Sequence, residues 1–191
     1  MSVTDRRGLR TERLLLRRWQ PRDRAPFAAM NADPEVMRYF PSALTPADSD
    51  ASIDRIEAGF GRYKFGLWAL EVTATGEFIG FTGLSVPSFD AHFTPAVEIG
   101  WRLARPAWAH GYATEAARRA LASGFSDHGL AEVVSFTSLV NLRSQAVMRR
   151  IGMTHDPADD FDHPRLPPGH RLQRHVLWRL TATRWREQRA T

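Results

Sequence analysis

The stretch AVEIGWRL at residues 96–103, followed after the short segment ARPAWAH at 104–110 by GYATEAARRALASGFSD at 111–127, decides the fold. Apolar residues occupy every second position of the first part, which predicts a half-buried β-strand. The last part begins with a glycine and then repeats its apolar residues at helical spacing, which predicts a helix from about residue 113 to residue 127. A strand, a short loop and the start of a helix therefore follow one another here.

This junction has the features of a phosphate-binding site. The first amides of a helix have no partner within the helix, and the helix dipole adds partial positive charge there. Gly111 lets the backbone approach an anion closely, and the small side chain of Ala113 leaves that approach open. A plain tight turn would also explain one glycine at a strand–helix junction. The glycine patterns of dinucleotide-binding folds and of P-loops are absent.

The rest of the chain supplies further strands and helices. Hydrophobic patterning predicts strands at 12–19, 67–72, 78–86, 131–138 and 174–180, of which the second and third form a hairpin. Helices are predicted at 22–31, at 45–61 behind the capping signal TPAD, at 144–151, and as a short helix beginning at 33–35. These elements form a single α/β domain over residues 9–182, with terminal extensions at 1–8 and 183–191.

Composition excludes several classes of protein. Without cysteine there are no disulfides, zinc–thiolate sites or cysteine nucleophiles. No apolar run reaches the roughly 20 residues that cross a bilayer, and residues 1–7 lack the apolar core of a signal peptide, so a cytoplasmic protein without membrane contact is expected. The net charge is +5, but its arginines are scattered and Lys64 is the only lysine. This scatter argues against a nucleic-acid site, although positive charge favours an anionic cofactor. The histidines form no metal-binding motif, so no metal is expected.

Two motifs, in this order, resemble those of the GNAT family of N-acetyltransferases. Residues 97–116 within the stretch quoted above are similar to the family's central coenzyme A motif. The second motif is NLRSQAVMRRIGM at 141–153, which is similar to the signature N-x-x-S-x-x-V-M-x-x-x-G-[MF]. The segments RLLLR at 13–17 and DPEVM at 33–37 look like the branch that contains the ribosomal-protein N-terminal acetyltransferases acting on alanine or serine. The resemblance covers about residues 9–182.

The resemblance implies a fold and a co-substrate. The family has a mixed, mostly antiparallel sheet with helices on both faces, splayed between the strands that match 96–103 and 131–138, here the fourth and fifth. Acetyl-CoA lies in this gap, with its pantetheine arm along the first of the two strands and its diphosphate on the loop-to-helix segment. Pairing of two copies through the C-terminal strand is also compatible with the family. The residues at coenzyme-binding positions are Ile99, Trp101, Leu103, Trp108, Ala109, His110, Gly111, Tyr112, Ala113, Thr114 and Asn141.

Two positions depart from the usual family pattern. Trp108 stands where many members have Gln or Arg at the start of the phosphate motif, a substitution that is common in the ribosomal-protein branch. Met148 stands where many members have a tyrosine that protonates the departing thiolate, and methionine cannot donate a proton. Ser144, one helical turn earlier, matches the serine that has this role in the branch. A cap of the predicted helix 144–151 is the alternative role for Ser144.

The predicted reaction is direct attack of a primary amine on the acetyl group in a ternary complex. An ammonium has no lone pair, and a free α-amino group has a pKa near ~8, so a modest base suffices at neutral pH. Glu98 is the candidate base, acting through water. Alternatively, Glu98 is an exposed strand carboxylate paired with Arg102 on the same face. A backbone N–H around residues 99–101 is expected to hold the oxyanion.

The identity of the acceptor is left open by the sequence. The branch resemblance favours the α-amino group of a protein or peptide over a small amine such as an aminoglycoside, polyamine or amino acid, and a non-catalytic coenzyme A-binding module is the rival from another class. Tyr39, Phe40 and Trp68 are candidates for an aromatic acceptor wall or for the ordinary core. Histidines and acidic residues in or beside the loop 155–169 either line the acceptor pocket or are solvated: His163, His170, His175, Asp159, Asp160 and Asp162.

Overall fold

The structure, a computed structural model, describes residues 8–190. Except for Gly8, the predicted N-terminal extension lies outside the described residues, as does Thr191. The described chain forms one nine-stranded sheet in the order β1-β2-β3-β4-β5-β6-β9-β7, with β8 also paired to β9. Its strands are β1 (Leu9–Arg10), β2 (Leu14–Arg17), β3 (Leu67–Val72), β4 (Phe78–Ser85), β5 (Glu98–Leu103), β6 (Glu132–Ser138), β7 (Thr154–His155), β8 (Phe161–Asp162) and β9 (Arg174–Thr181).

The α-helices cover both faces of this sheet. The longest begins as predicted, because Thr45 caps it by accepting a hydrogen bond from the Asp48 N–H at 3.1 Å. No helix in the described part of the chain is long and apolar enough to cross a membrane. The helices are α1 (Arg24–Ala32), α2 (Pro46–Tyr63), α3 (Tyr112–Ser126), α4 (Leu142–Arg150) and α5 (Ala182–Ala190).

The sheet is mostly antiparallel, as expected, and it opens at the predicted place. All neighbouring strands are antiparallel except β5 and β6, which run parallel and pair only at Glu98 and Val134. The β3–β4 hairpin and the β5–α3–β6 order are also confirmed. The α/β architecture with a splayed central sheet is therefore the observed one.

The two faces of the sheet have separate roles. On one face α3 packs against a core that contains Leu14, Leu70 and Ile99, all of them fully buried. On the other face α1 and α2 pack around Phe27 and Phe81. Because side chains alternate along a strand, Glu98, Gly100 and Arg102 of β5 share this second face with Phe81.

Several elements differ from the prediction. The strand predicted at 12–19 is shorter and corresponds to β2. Strands β1, β7 and β8 have only two residues each, too few for a periodic pattern. The short helix expected to begin at 33–35 is a turn, in which the Asp33 carboxylate accepts a hydrogen bond from the Glu35 N–H at 2.8 Å. The segment 183–190, predicted to be an extension, belongs to helix α5, whose Trp185 is buried against Phe125.

Candidate active site

The opening between β5 and β6 exposes one edge of β5. The Val134 N–H donates to the Val97 carbonyl at 2.8 Å, and the Ser135 hydroxyl donates to the Ile99 carbonyl at 2.9 Å. The backbone groups of odd-numbered β5 residues therefore point towards β6, since these groups alternate along a strand.

Beyond Ile99 the two strands no longer pair. The alternation directs the N–H and C=O of Trp101 and the N–H of Leu103 into the gap, while the Leu103 carbonyl accepts a hydrogen bond from Trp108 Nε1 at 2.9 Å. An extended ligand with amide groups can pair with this open edge as an added strand would.

The gap belongs to a cleft of about 2190 Å³ that runs from the start of α3 to the loop before β9. Ten of the eleven residues predicted to bind the coenzyme line this cleft, and His110 is the exception. The His110 side chain is exposed and stacks on the Tyr112 ring, with 5.4 Å between ring centres. The volume exceeds the roughly 300–1,000 Å³ of a typical small-molecule pocket, so it has room for two substrates.

At one end of the cleft the loop before α3 forms a concave backbone. Gly111, the N-cap of α3, has φ +81°, and Ala109 has φ +63°, an unfavourable value for a residue with a side chain. A Cβ built on Gly111 would meet only Arg13 Nη2, at 3.5 Å, so the glycine faces open space. Free helix N–H groups next to such a glycine suit a phosphate.

The carboxylate of Glu115, in the first turn of α3, is neutralised by its neighbours. It forms an ion pair with Arg13 at 2.6 Å and accepts a hydrogen bond from the Thr11 hydroxyl at 2.5 Å. Burial acts to raise the pKa of Glu115, but the hydrogen bonds from Thr11 and Arg13 outweigh it and hold the pKa below its ordinary value. The negative charge beside the loop before α3 is therefore compensated.

The arginines that look scattered in sequence gather around this end of the cleft. Arg143 lies over the Trp108 ring, 4.7 Å from its centre, and Arg118 donates to the Arg150 carbonyl at 2.7 Å. These arginines are far apart in the sequence, so their spacing does not predict that the fold brings them together near the start of α3. The cleft arginines from these elements are Arg10, Arg13, Arg118, Arg119, Arg143 and Arg150.

Glu98 lies in the cleft wall where β5 and β6 separate. Burial raises the pKa of Glu98 to about 8, and a hydrogen bond from the Ser85 side chain opposes this rise. The alternative pairing with Arg102 is wrong, because Arg102 Nη1 donates to the side-chain oxygen of Asn31 at 2.7 Å instead. A carboxyl group with this pKa can accept a proton near neutral pH.

Ser144 lines the cleft from the first turn of α4. The helix begins at Leu142, not at Ser144 as predicted, and Asn141 is its N-cap, with Oδ1 accepting from the Ser144 N–H at 3.3 Å. The cap role considered for Ser144 is therefore wrong. Its hydroxyl has no hydrogen-bond partner among the described residues and is available to a ligand. Met148 is buried beneath it.

The far half of the cleft is lined mainly by aromatic and neutral groups, with the charged side chains of Glu35, Glu98, Arg102 and Arg165 among them. Tyr39 and Phe40 line it, and so do His163 and His175, whose rings lie 4.9 Å apart. Burial lowers the pKa of His175 to about 4, so this histidine is neutral at pH 7.

Two sets of residues proposed for this half lie elsewhere. Trp68 is buried on the opposite face of the sheet, where it packs on Phe60 with 4.5 Å between ring centres, so it is a core residue and not an acceptor wall. His170 and the acidic residues of the loop also do not line the cleft. The three acidic residues have partners outside the cleft: Asp159 binds Arg179, Asp160 binds His155 and Asp162 binds Arg174.

Comparison with known proteins gives a consistent result. The family model described as acetyltransferase (GNAT) domain matches residues 13–154. The uncharacterised protein YkkB of Bacillus subtilis (strain 168) is 35% identical over 144 residues, which are 75% of this chain and 83% of that protein. The FsC-acetyl coenzyme A-N(2)-transacetylase of Aspergillus fumigatus is 32% identical over 166 residues, 82% of this chain and 68% of that protein. The crystal structure of an acetyltransferase from Agrobacterium tumefaciens C58 is 28% identical, with a TM-score of 0.73 over 90% of this chain and 92% of that chain.

Proposed function

Because the chain belongs to the GNAT acetyltransferase family, and is thus an N-acetyltransferase that uses acetyl-CoA, we propose that its acceptor is the α-amino group of a peptide or protein. One observation carries this choice: the acceptor half of the cleft has almost no negative charge. Its only carboxylates among the described residues are Glu98 and Glu35. Aminoglycosides and polyamines carry several positive charges, and a site for them needs a group of carboxylates.

The chemistry of the acceptor agrees with this choice. An α-amino group has a pKa near ~8 and is partly neutral at pH 7, whereas a lysine side chain, with a pKa near ~10.4, is almost wholly charged. A base with a pKa of about 8, as in Glu98, is matched to the first and not to the second. The similarity of Trp108 and Ser144 to the ribosomal-protein branch points the same way.

The residues of the cleft have complementary roles in this proposal. The open edge of β5 and the loop before α3 hold acetyl-CoA, which supplies an activated acetyl group. Glu98 accepts the amine proton through a water molecule, while the nitrogen forms its bond to the acetyl carbon. A β5 backbone N–H that faces the gap, such as that of Trp101, stabilises the oxyanion. As the carbon–sulfur bond breaks, the Ser144 hydroxyl gives a proton to the departing sulfur and is reprotonated from solvent.

The test is acetyl transfer measured by mass spectrometry and by thiol release from acetyl-CoA. The acceptors are short peptides that begin with Ser or Ala, the same peptides with a blocked N-terminus, and kanamycin-like amines. We expect acetylation of the free peptides at the α-nitrogen, none of the blocked peptides, and little of the drugs. Acetylated drug with unmodified peptides would overturn the acceptor choice. Coenzyme A binding without any thiol release would instead support a non-catalytic binding module.

A further inference from the structure

Arg102 is a charged group in the cleft wall without a charged partner. Its Nη1 donates to the neutral Asn31 side chain at 2.7 Å, and its guanidinium lies over the Phe40 ring, 3.9 Å from the ring centre. Its Nε is buried without a hydrogen-bond partner, and no carboxylate among the described residues binds it. The centre of the Phe81 ring lies 5.5 Å from the guanidinium carbon of Arg102. Aromatic rings and an amide therefore hold the guanidinium in place without neutralising it.

Arg17, another arginine that faces inward, does have charged partners. Arg17 is bound by the carboxylates of Asp23 and Glu71, both at 2.7 Å. An unpaired charge removed from water is costly, and this cost is visible in Arg102, since burial lowers its pKa to about 10. An anion that enters the cleft would supply the counter-charge that the fold omits.

Resting on the proposed function, we propose that Arg102 binds an acidic side chain of the acceptor, and that the acceptor is a peptide with Asp or Glu at its second or third position. Arg102 stands four residues after Glu98 on the same face of β5, a separation of about 13 Å between their Cα atoms. A free amino acid has its carboxylate two bonds from its amine and is too short to reach both residues. An extended peptide advances about 3.3 Å per residue, so its second or third side chain reaches Arg102 when its amine is at Glu98.

The surface between the two residues fits an extended chain. Gly100 lies between them and pairs with Gly83 on β4, so the sheet has no side chain here. A Cβ built on Gly100 would meet only the Glu98 carboxylate, at 3.8 Å. The result is a smooth trough that leads from the candidate base to the arginine.

The experiment compares matched peptides that differ in one group: Ser-Glu against Ser-Gln at the start of an otherwise identical sequence, and the same pair with the change at position three. For the wild-type enzyme, we expect kcat/KM for one Glu peptide to exceed that of its Gln partner by about tenfold or more, with the difference shrinking at high salt. In Arg102→Gln the ratio should fall to about one, whereas Arg102→Lys should keep part of it. Coenzyme A affinity, measured by calorimetry, shows that each variant is folded.

The outcomes separate this inference from the proposed function. Equal acetylation of Glu and Gln peptides by the wild-type enzyme would overturn the role of Arg102 and leave α-amino acetylation intact. An unchanged ratio in a folded Arg102→Gln variant would also overturn it. If no peptide were acetylated, the proposed function itself would fail. The wild-type comparison needs no variant, so a misfolded substitution would not prevent a decision.

Discussion

Glu98 and Glu115 both line the cleft, yet the fold raises the pKa of Glu98 and lowers the pKa of Glu115. Around Glu115, hydrogen bonds from Thr11 and Arg13 outweigh burial, so the group stays ionised and structural. Around Glu98, burial dominates and the pKa rises to about 8. Only the second group exchanges its proton near the pH at which an α-amine does so.

Replacing this carboxyl group tests its role as the base. We expect Glu98→Gln to lower kcat roughly 10²-fold at pH 7, the usual contribution of a general base. Since only the ionised carboxylate accepts a proton, the wild-type rate should rise with pH and level off above the Glu98 pKa of about 8. The deficit of the variant should shrink above that pH, where the acceptor loses its own proton. Wild-type activity in the variant at pH 7 would remove Glu98 from the mechanism.

The acid role of Ser144 can be separated from the stability of helix α4. We expect Ser144→Ala to lower kcat about tenfold or more and to leave the unfolding temperature nearly unchanged, because the hydroxyl has no hydrogen-bond partner within residues 8–190. Asn141→Ala should instead lower the free energy of unfolding by about 1 kcal/mol, because it removes the helix cap. Thermal unfolding and steady-state kinetics on both variants measure these effects. A stable Ser144→Ala enzyme with full kcat would contradict the acid role of Ser144 and would indicate that solvent protonates the thiolate.

At the scale of elements, the loop-to-helix segment before α3 makes the phosphate assignment testable. We expect Gly111→Val to reduce coenzyme A affinity by at least tenfold, since a branched Cβ would project into the open space where the diphosphate should lie. Gly129→Val is the matched control: it has φ +63°, an equally open surrounding and no part in the cleft. Both variants should lose similar stability through backbone strain. Equal coenzyme A affinity by calorimetry in the two variants would refute the assignment.

Elements with a clear period or a local end signal could be predicted, and elements stabilised by distant partners could not. Strand β5 alternates, and helix α2 begins at a capping sequence, so both are encoded locally. Helix α5 has little apolar periodicity, and its order depends on Trp185, which fits against Phe125 of α3. A tertiary contact of this kind leaves no pattern in the segment itself.

At the scale of the whole molecule, the site shows the same limit: contacts between residues far apart in the chain cannot be predicted from local sequence. Local motifs were enough to locate Gly111, Glu98 and Ser144, which line one cleft. A shared strand face allows Arg102 to pair with Glu98, which was the alternative to a catalytic role for Glu98, and the sequence does not show that Asn31, far away in the chain, binds Arg102 instead. The choice between acceptor wall and core stays open for Trp68 in the sequence for a related reason, since an aromatic residue in a strand can face either side of the sheet.

The raised pKa of Glu98 also affects the stability of the whole fold, and the sign can be worked out. An unfolded carboxyl group ionises near pH ~4.3, whereas folded Glu98 keeps its proton up to about pH 8. Between these values the native state binds more protons than the unfolded state. The contribution of Glu98 to stability is therefore fully present below pH ~4.3, falls as the pH rises and is lost above about 8.

Removing the ionisable group should remove this loss. We expect Glu98→Gln to match the wild-type protein in unfolding free energy near pH 4 and to exceed it by about 1–3 kcal/mol at pH 8.5, a value reduced because water reaches the half-buried carboxylate. For a chain of 191 residues this corresponds to roughly 2–12 °C in Tm. Thermal unfolding of both proteins across this pH range measures the difference, and other titrating groups cancel in it. A variant that gains no stability as the pH rises would show that Glu98 ionises like an exposed carboxyl group, and a base with that pKa would no longer be matched to the amine.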